Sequence, residues 1–230
     1  MQLATILQRC LLKGEPNTLK SYNLFSMPLT RYLSAILYFS GCMIATSQSI
    51  QTNKIIPESI KDETFVALSH YPELKDTPIE FKFKDNIKKS TMQAQPTFGS
   101  IFRSKENRSY IIFISRKIKI EDEKFTINDI PKDVLIGWLG HELGHVMDYR
   151  DRTGIGMIIF GIKYLFSGTH IKEVERAADT FAIDHGMGTY ILKTKNFILD
   201  NADFSEKYKA KLRKLYMSPE EVMHLIESKQ

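Results

Sequence analysis

Cysteine is almost absent from this chain. Its 230 residues contain two, Cys10 and Cys42, and none follows. This excludes a disulfide framework and a cysteine-ligated zinc site from the rest of the molecule. Beyond residue 50 there is also no run of about 20 apolar residues, the length a membrane-spanning helix needs. Repeats, low-complexity tracts and Gly/Ser-rich linkers are lacking too. Charge of one sign is scarce: the formal net charge is +5, and Arg9, Lys13, Lys20 and Arg31 stand against only Glu15 within the first 47 residues. The remainder holds 28 basic and 26 acidic residues. So small an excess, mixed in runs such as RKIKIEDEK, argues against nucleic acid as a partner. With 43% hydrophobic and 26% charged residues, the composition is that of a globular protein with a sizeable core.

The N-terminal region, residues 1–47, reads as a leader. Arg31 precedes a mainly apolar run from Tyr32 to Ala45, and small residues follow. A basic start, an apolar middle and a small-residue exit are the parts of a secretory signal. Cleavage after Ser47 would release Gln48. Alternatively, FSGC resembles a bacterial lipobox, which would make Cys42 a lipidated first residue. A retained membrane anchor is the third option. Met27 is a candidate true start, because a signal of ordinary length begins there. The expected location is therefore the bacterial cell envelope or periplasm.

Residues 48–230 read as a single domain. IPESIKDETFVALSHYPEL fits a helix with Ile60, Thr64, Ala67 and Leu68 on one face. IEFKFK alternates apolar and charged residues, the pattern of a half-buried strand. TFGSIFRSKENRSYIIFIS reads as a hairpin turning at SKENRS, with its second strand at Tyr110–Ser115. A helix is expected from about Pro131 to Arg150, with Asn128 or Asp129 as cap. A second covers IKEVERAADTFAIDHG and stops at Gly186. The tail from Phe204 to Glu227 reads as helical with a break at Ser218-Pro219. Helix, small antiparallel sheet, then helices is an α+β order. The segment GIGMIIFGIKYLFSG (154–168) is either a core helix or an exposed apolar flap that touches substrate or a membrane surface.

Inside the helix at 131–150 stands HELGH. Residues four apart on a helix project side by side, so His141 and His145 can bind one metal ion. Glu142, rotated by about 100°, is poorly placed to ligate the same ion but can reach a water in the open position. Leu135, Leu139, Leu143, Val146 and Met147 make the helix apolar elsewhere. A buried cluster of two imidazoles and a carboxylate is costly without a partner, and a metal supplies one. A third ligand is required. Glu175 is the candidate, with Asp179 one turn on as acceptor for a ligating imidazole. Glu173 and His170 are rival ligands, and pairing of Glu175 with Arg176 or Lys172 is the bland alternative. The small residues Gly137, Gly140, Gly144, Ala177 and Ala178 would let the two helices approach closely.

HELGH followed by ERAAD resembles the zinc metallopeptidases of the Ste24/HtpX type, which are gluzincins. The match covers positions 134 to 180 only. It implies a zincin-like fold with the HExxH helix central. It further implies His141, His145 and Glu175 as Zn²⁺ ligands, Glu142 as general base and Asp179 as support for a histidine. The expected activity is endopeptidase hydrolysis of an envelope protein or peptide. Tyr149, His170, His185 and Tyr190 are candidates for stabilising the oxyanion, and a strand around Thr97–Phe102 for pairing with an extended substrate. The alternative is a zinc-binding envelope protein without turnover, acting through a partner or lipid.

Overall fold

A computed structural model describes residues 53–229 apart from positions 86, 88–89, 120–123 and 202–203. The leader reading of residues 1–47 lies outside them. The chain order is β1 (Lys54–Ile55), α1 (Lys61–Ser69), β2 (Ile79–Lys84), β3 (Met92–Pro96), β4 (Tyr110–Ser115), β5 (Lys117–Lys119) and β6 (Lys124–Thr126). Helices α2 (Lys132–Asp151), α3 (Gly154–Phe166), α4 (Gly168–Asp184), α5 (Gly188–Asp200), α6 (Glu206–Leu215) and α7 (Pro219–Glu227) follow. The class is α+β, as the order of patterns implied.

The expectation of an antiparallel sheet needs correction. The four-stranded sheet has the order β1-β2-β4-β3. Only β3–β4 is antiparallel, while β1–β2 and β2–β4 run parallel. Between β1 and β2 the chain crosses over through α1, which returns it to the same end of the sheet. Strand β3 then takes the outer position, and β4 enters between β2 and β3 in the direction of β2. The hairpin exists, but its first strand is Met92–Pro96, with Met92 opposite Ile114 and Pro96 opposite Tyr110. Thr97–Phe102 is no strand. It belongs to the connection to β4, which holds a left-handed Gly99 (φ 81°) and 3₁₀ turns at Ser100–Phe102 and Lys105–Asn107. The phenylalanines at 98 and 102 imitated strand composition, whereas Pro96 disguised a real strand. Proline is tolerated there because β3 is an edge and Pro96 faces away from β4.

Helix α2 occupies the centre, packed on α1, α4, α5 and β3. Leu139, Leu143 and Val146 are fully buried against a sheet face that carries Phe81, Ala94 and Ile112. Asp129 caps a 3₁₀ turn at 127–129 with Thr126 rather than α2 itself. The helix ends where the buried Arg108 donates through Nη1 to Tyr149 O (3.2 Å) and Arg152 O (2.6 Å). A guanidinium on the terminal carbonyls also complements the helix dipole. A Cβ at Gly144 would collide with the backbone of Ala178 on α4, and one at Gly137 with Tyr190 O on α5. The glycines therefore set how closely α4 and α5 approach. Gly186 (φ 77°) ends α4 in the left-handed conformation that favours glycine. Helix α5 fills a stretch for which the sequence pattern offered no expectation. The 154–168 segment turns out helical and largely uncovered: Ile155, Ile158, Ile159, Ile162, Leu165 and Phe166 are exposed. Among the described residues no single helix is long and apolar enough to cross a membrane.

Candidate metal centre

The close approach of α2 and α4 brings His141, His145 and Glu175 together. One ligand atom from each lies within 4.8 Å of the others. Both imidazole Nε2 atoms face the same carboxylate oxygen: Glu175 Oε2 is 3.1 Å from His141 and 3.5 Å from His145. The rings stand nearly perpendicular (85°), with centroids 4.7 Å apart. This is the side-by-side arrangement expected of positions i and i+4. Glu173 is exposed and pairs with His170 at 3.4 Å, so neither rival joins the cluster. Arg176 is bound to Glu221 on α7, leaving Glu175 to the histidines.

Asp179 sits one turn beyond Glu175, almost wholly buried. Its Oδ1 lies 2.9 Å from His141 Nδ1. Nδ1 donates there to Asp179, which turns Nε2 toward Glu175 Oε2, where the ring either donates a second proton or, deprotonated, can ligate a cation. Its Oδ2 accepts from Lys195 Nζ at 2.7 Å and from the Met217 amide at 3.3 Å. Burial pushes the Asp179 carboxyl up, but the Lys195 charge and the hydrogen bond with His141 outweigh it and hold the carboxyl below its ordinary range. Glu175 behaves alike: burial acts upward, and hydrogen bonds with His141 and His145 carry it well below. For His141, burial favours the neutral ring, while Asp179 and Glu175 overcome that and push it up to about 10. An imidazole held between two carboxylates wants a cation at its Nε2 face, whether proton or metal. Two imidazoles and one carboxylate form a donor set that suits a divalent transition-metal ion. The residues present therefore fit a metal ion.

Glu142 is close to this cluster but separate from it. Its Oε2 accepts from the Ala94 amide at 2.6 Å. The bond follows from the β3–β4 register. Thr97 N bonds to Ser109 O and Ser115 N to Thr91 O, so by antiparallel alternation residues 92, 94 and 96 turn their backbone groups away from β4. The free edge of β3 thus faces Glu142. Burial raises the pKa of this carboxyl, while His145 and His141 pull it the other way.

Of the four proposed oxyanion donors, only Tyr149 borders the site. Its ring stacks on His145 with centroids 5.9 Å apart. His185 bonds Phe181 O and stacks on Tyr71. Tyr190 packs edge-on to His70, and His170 pairs with Glu173. Sequence reasoning missed three side chains. Tyr164 on α3 donates to Glu175 Oε1 at 3.2 Å. Tyr216 lies against His141 with centroids 5.6 Å apart, and Lys195 anchors Asp179. Tyr164 carries the single side-chain hydroxyl in the apolar run 154–166, a usable signal. Lys195 on α5 and Tyr216 just beyond α6 come from distant stretches of chain and offered none. Met92, Trp138, His141, Glu142, Tyr208 and Tyr216 line a small cavity beside the site.

No family model, no curated protein and no solved structure matches this chain.

Proposed function

We propose that the protein is a zinc-dependent endopeptidase of the Ste24/HtpX-like, zincin type. His141, His145 and Glu175 would hold the ion. Bound there, Zn²⁺ would supply Lewis acidity, lowering the pKa of a water towards about 7 and polarising a carbonyl. Glu142 accepts the proton of the attacking water and passes it to the departing amine. Its burial suits it to the task, because a desolvated carboxylate is a stronger base than one in water. The Ala94 amide fixes its orientation. Asp179 positions His141 through Nδ1. Met92 and Pro96 present outward backbone groups on the β3 edge, where an extended peptide can add as a strand. In this reading the pairing strand is Met92–Pro96 instead of Thr97–Phe102. A substrate side chain would enter the cavity beside Trp138 and Tyr216. A substrate in the bacterial envelope agrees with the leader reading.

The observation that carries this proposal is the position of Glu142. It follows His141 directly, yet it is held off the ligand cluster by a backbone amide of the strand edge. A purely structural ion site has no use for that arrangement.

The test begins with metal analysis of the purified full chain. About one zinc per chain is expected, lost in Glu175→Ala and retained in Glu142→Gln. Glu142→Gln should then cleave an unfolded protein substrate at least about 100-fold more slowly. A folded chain that takes up no zinc sinks the proposal. Turnover by Glu142→Gln at the wild-type rate removes the assigned base.

A further inference from the structure

Helix α3 is apolar on every side, and such a helix is ordinarily buried. Here Met157 and Phe160 alone are buried. Ile155, Ile158, Ile159, Ile162, Leu165 and Phe166 follow the spacing i, i+3, i+4, i+7, i+10, i+11, which is one helical face, and all are exposed; Leu165 and Phe166 are 77% and 84% open. The turn Ser100–Phe102 packs beside the start of α3. It brings Phe102, 80% exposed, and the neighbouring connection holds the fully exposed Phe98. Water-soluble surfaces rarely carry so continuous an apolar patch without a partner.

The charges around the patch indicate the partner. From Arg152 to Lys172 the chain contains no acidic residue. Lys163 is exposed on α3 itself and Arg103 follows Phe102, while the exposed acids Glu106, Asp151 and Glu173 lie outside the helix. An apolar face whose helix carries a single charge, the cationic Lys163, within an acid-free stretch from 152 to 172 matches the acyl boundary and headgroups of an anionic lipid surface. It does not suit a symmetric contact with a second copy, which would set cation against cation. We propose that the outer face of α3, with Phe98 and Phe102, docks on an anionic lipid surface. The helix lies in the plane of the interface and does not cross it. The inner side of the same helix carries Tyr164, bonded to Glu175. Docking would therefore hold the metal-binding cluster roughly one helix diameter, ~10 Å, from the headgroups. The docking face stands whether or not the site hydrolyses peptides.

The full chain carrying Phe166→Trp tests this directly. The native Trp138 is buried and gives a constant background. Vesicles of phosphatidylcholine containing phosphatidylglycerol should shift the emission of the new tryptophan to the blue, and brominated acyl chains should quench it. Unchanged emission overturns the proposal even if the chain sediments with vesicles, because another segment would then be the anchor. A blue shift that grows with protein concentration and needs no lipid also overturns it, in favour of a second copy. With the proposal correct, Ile158→Glu with Ile162→Glu abolishes quenching of that tryptophan, and far-UV circular dichroism confirms that the fold is kept. Lys163→Gln weakens binding to the anionic vesicles about fivefold and leaves binding to phosphatidylcholine alone unchanged.

Discussion

Two consecutive helices differ in fate, and the less apolar of the two is the one that is buried. In α2, 14 of 20 residues are buried, and in α3, 2 of 13. Lys163 is the single charged residue of α3, whereas α2 carries six, so hydrophobicity alone does not produce burial. Shape does. Gly137, Gly140 and Gly144 carve α2 to fit Tyr190, Met187 and Ala178, and its buried polar groups face partners from α4 and β3. On α3 nothing lies within contact of a Cβ at Gly161, and Tyr164 makes its polar tie inward. Burial follows from complementary surfaces, with apolar content as a necessary condition.

The contrast can be attacked at points of decreasing expected effect. The strongest is Asp179→Asn, which leaves the buried Lys195 ammonium without its countercharge. A loss of roughly 3–5 kcal/mol is expected by denaturant unfolding in chelator. The loss also depends on pH. Because the folded carboxyl titrates below its ordinary 3.8, the wild-type advantage is complete above that value. It fades as pH falls through the depressed folded value, so the two stability curves should converge in acid. A difference that persists there would mean Asp179 acts by packing alone. Next is Gly144→Val, which forces α4 away and should cost about 1–3 kcal/mol together with affinity for a metal ion at the His141, His145 and Glu175 cluster. Unchanged affinity would separate helix spacing from the site. Tyr164→Phe removes α3's bond to Glu175 and should cost about 1.5 kcal/mol, measured by thermal unfolding. The smallest effect is reserved for Ile158→Glu, within about 0.5 kcal/mol. A loss near 2 kcal/mol would show that the α3 face is covered in solution and break the comparison.

The same contrast marks what was legible in the sequence. The HELGH helix announced itself because its chemistry is local: i and i+4 on one helix are neighbours by construction. Glu175 and Asp179 were legible for the same reason, as a second i, i+4 pair on a helix with small residues. Strand β2 matched its alternation at Ile79–Lys84. The sheet's direction was not legible, since it depends on where β3 goes relative to β4, and no local pattern records that choice. Nor was the β3 edge beside Glu142, because Ala94 contributes a backbone amide that any residue but proline could supply. For 154–168, periodicity could not choose between core and surface, because exposure depends on what other segments leave uncovered. Lys195 reads like any solvated lysine until α5 packs against α2.

Asp179 joins three separate stretches of chain: His141 of α2, Lys195 of α5 and the Met217 amide just ahead of α7. If an ion binds through His141, its affinity and the seating of the C-terminal segment become a single linked equilibrium. Whatever tightens one tightens the other by the same factor. Residues that never approach the ligands, those of α7 included, thereby acquire a share in how firmly the centre is occupied.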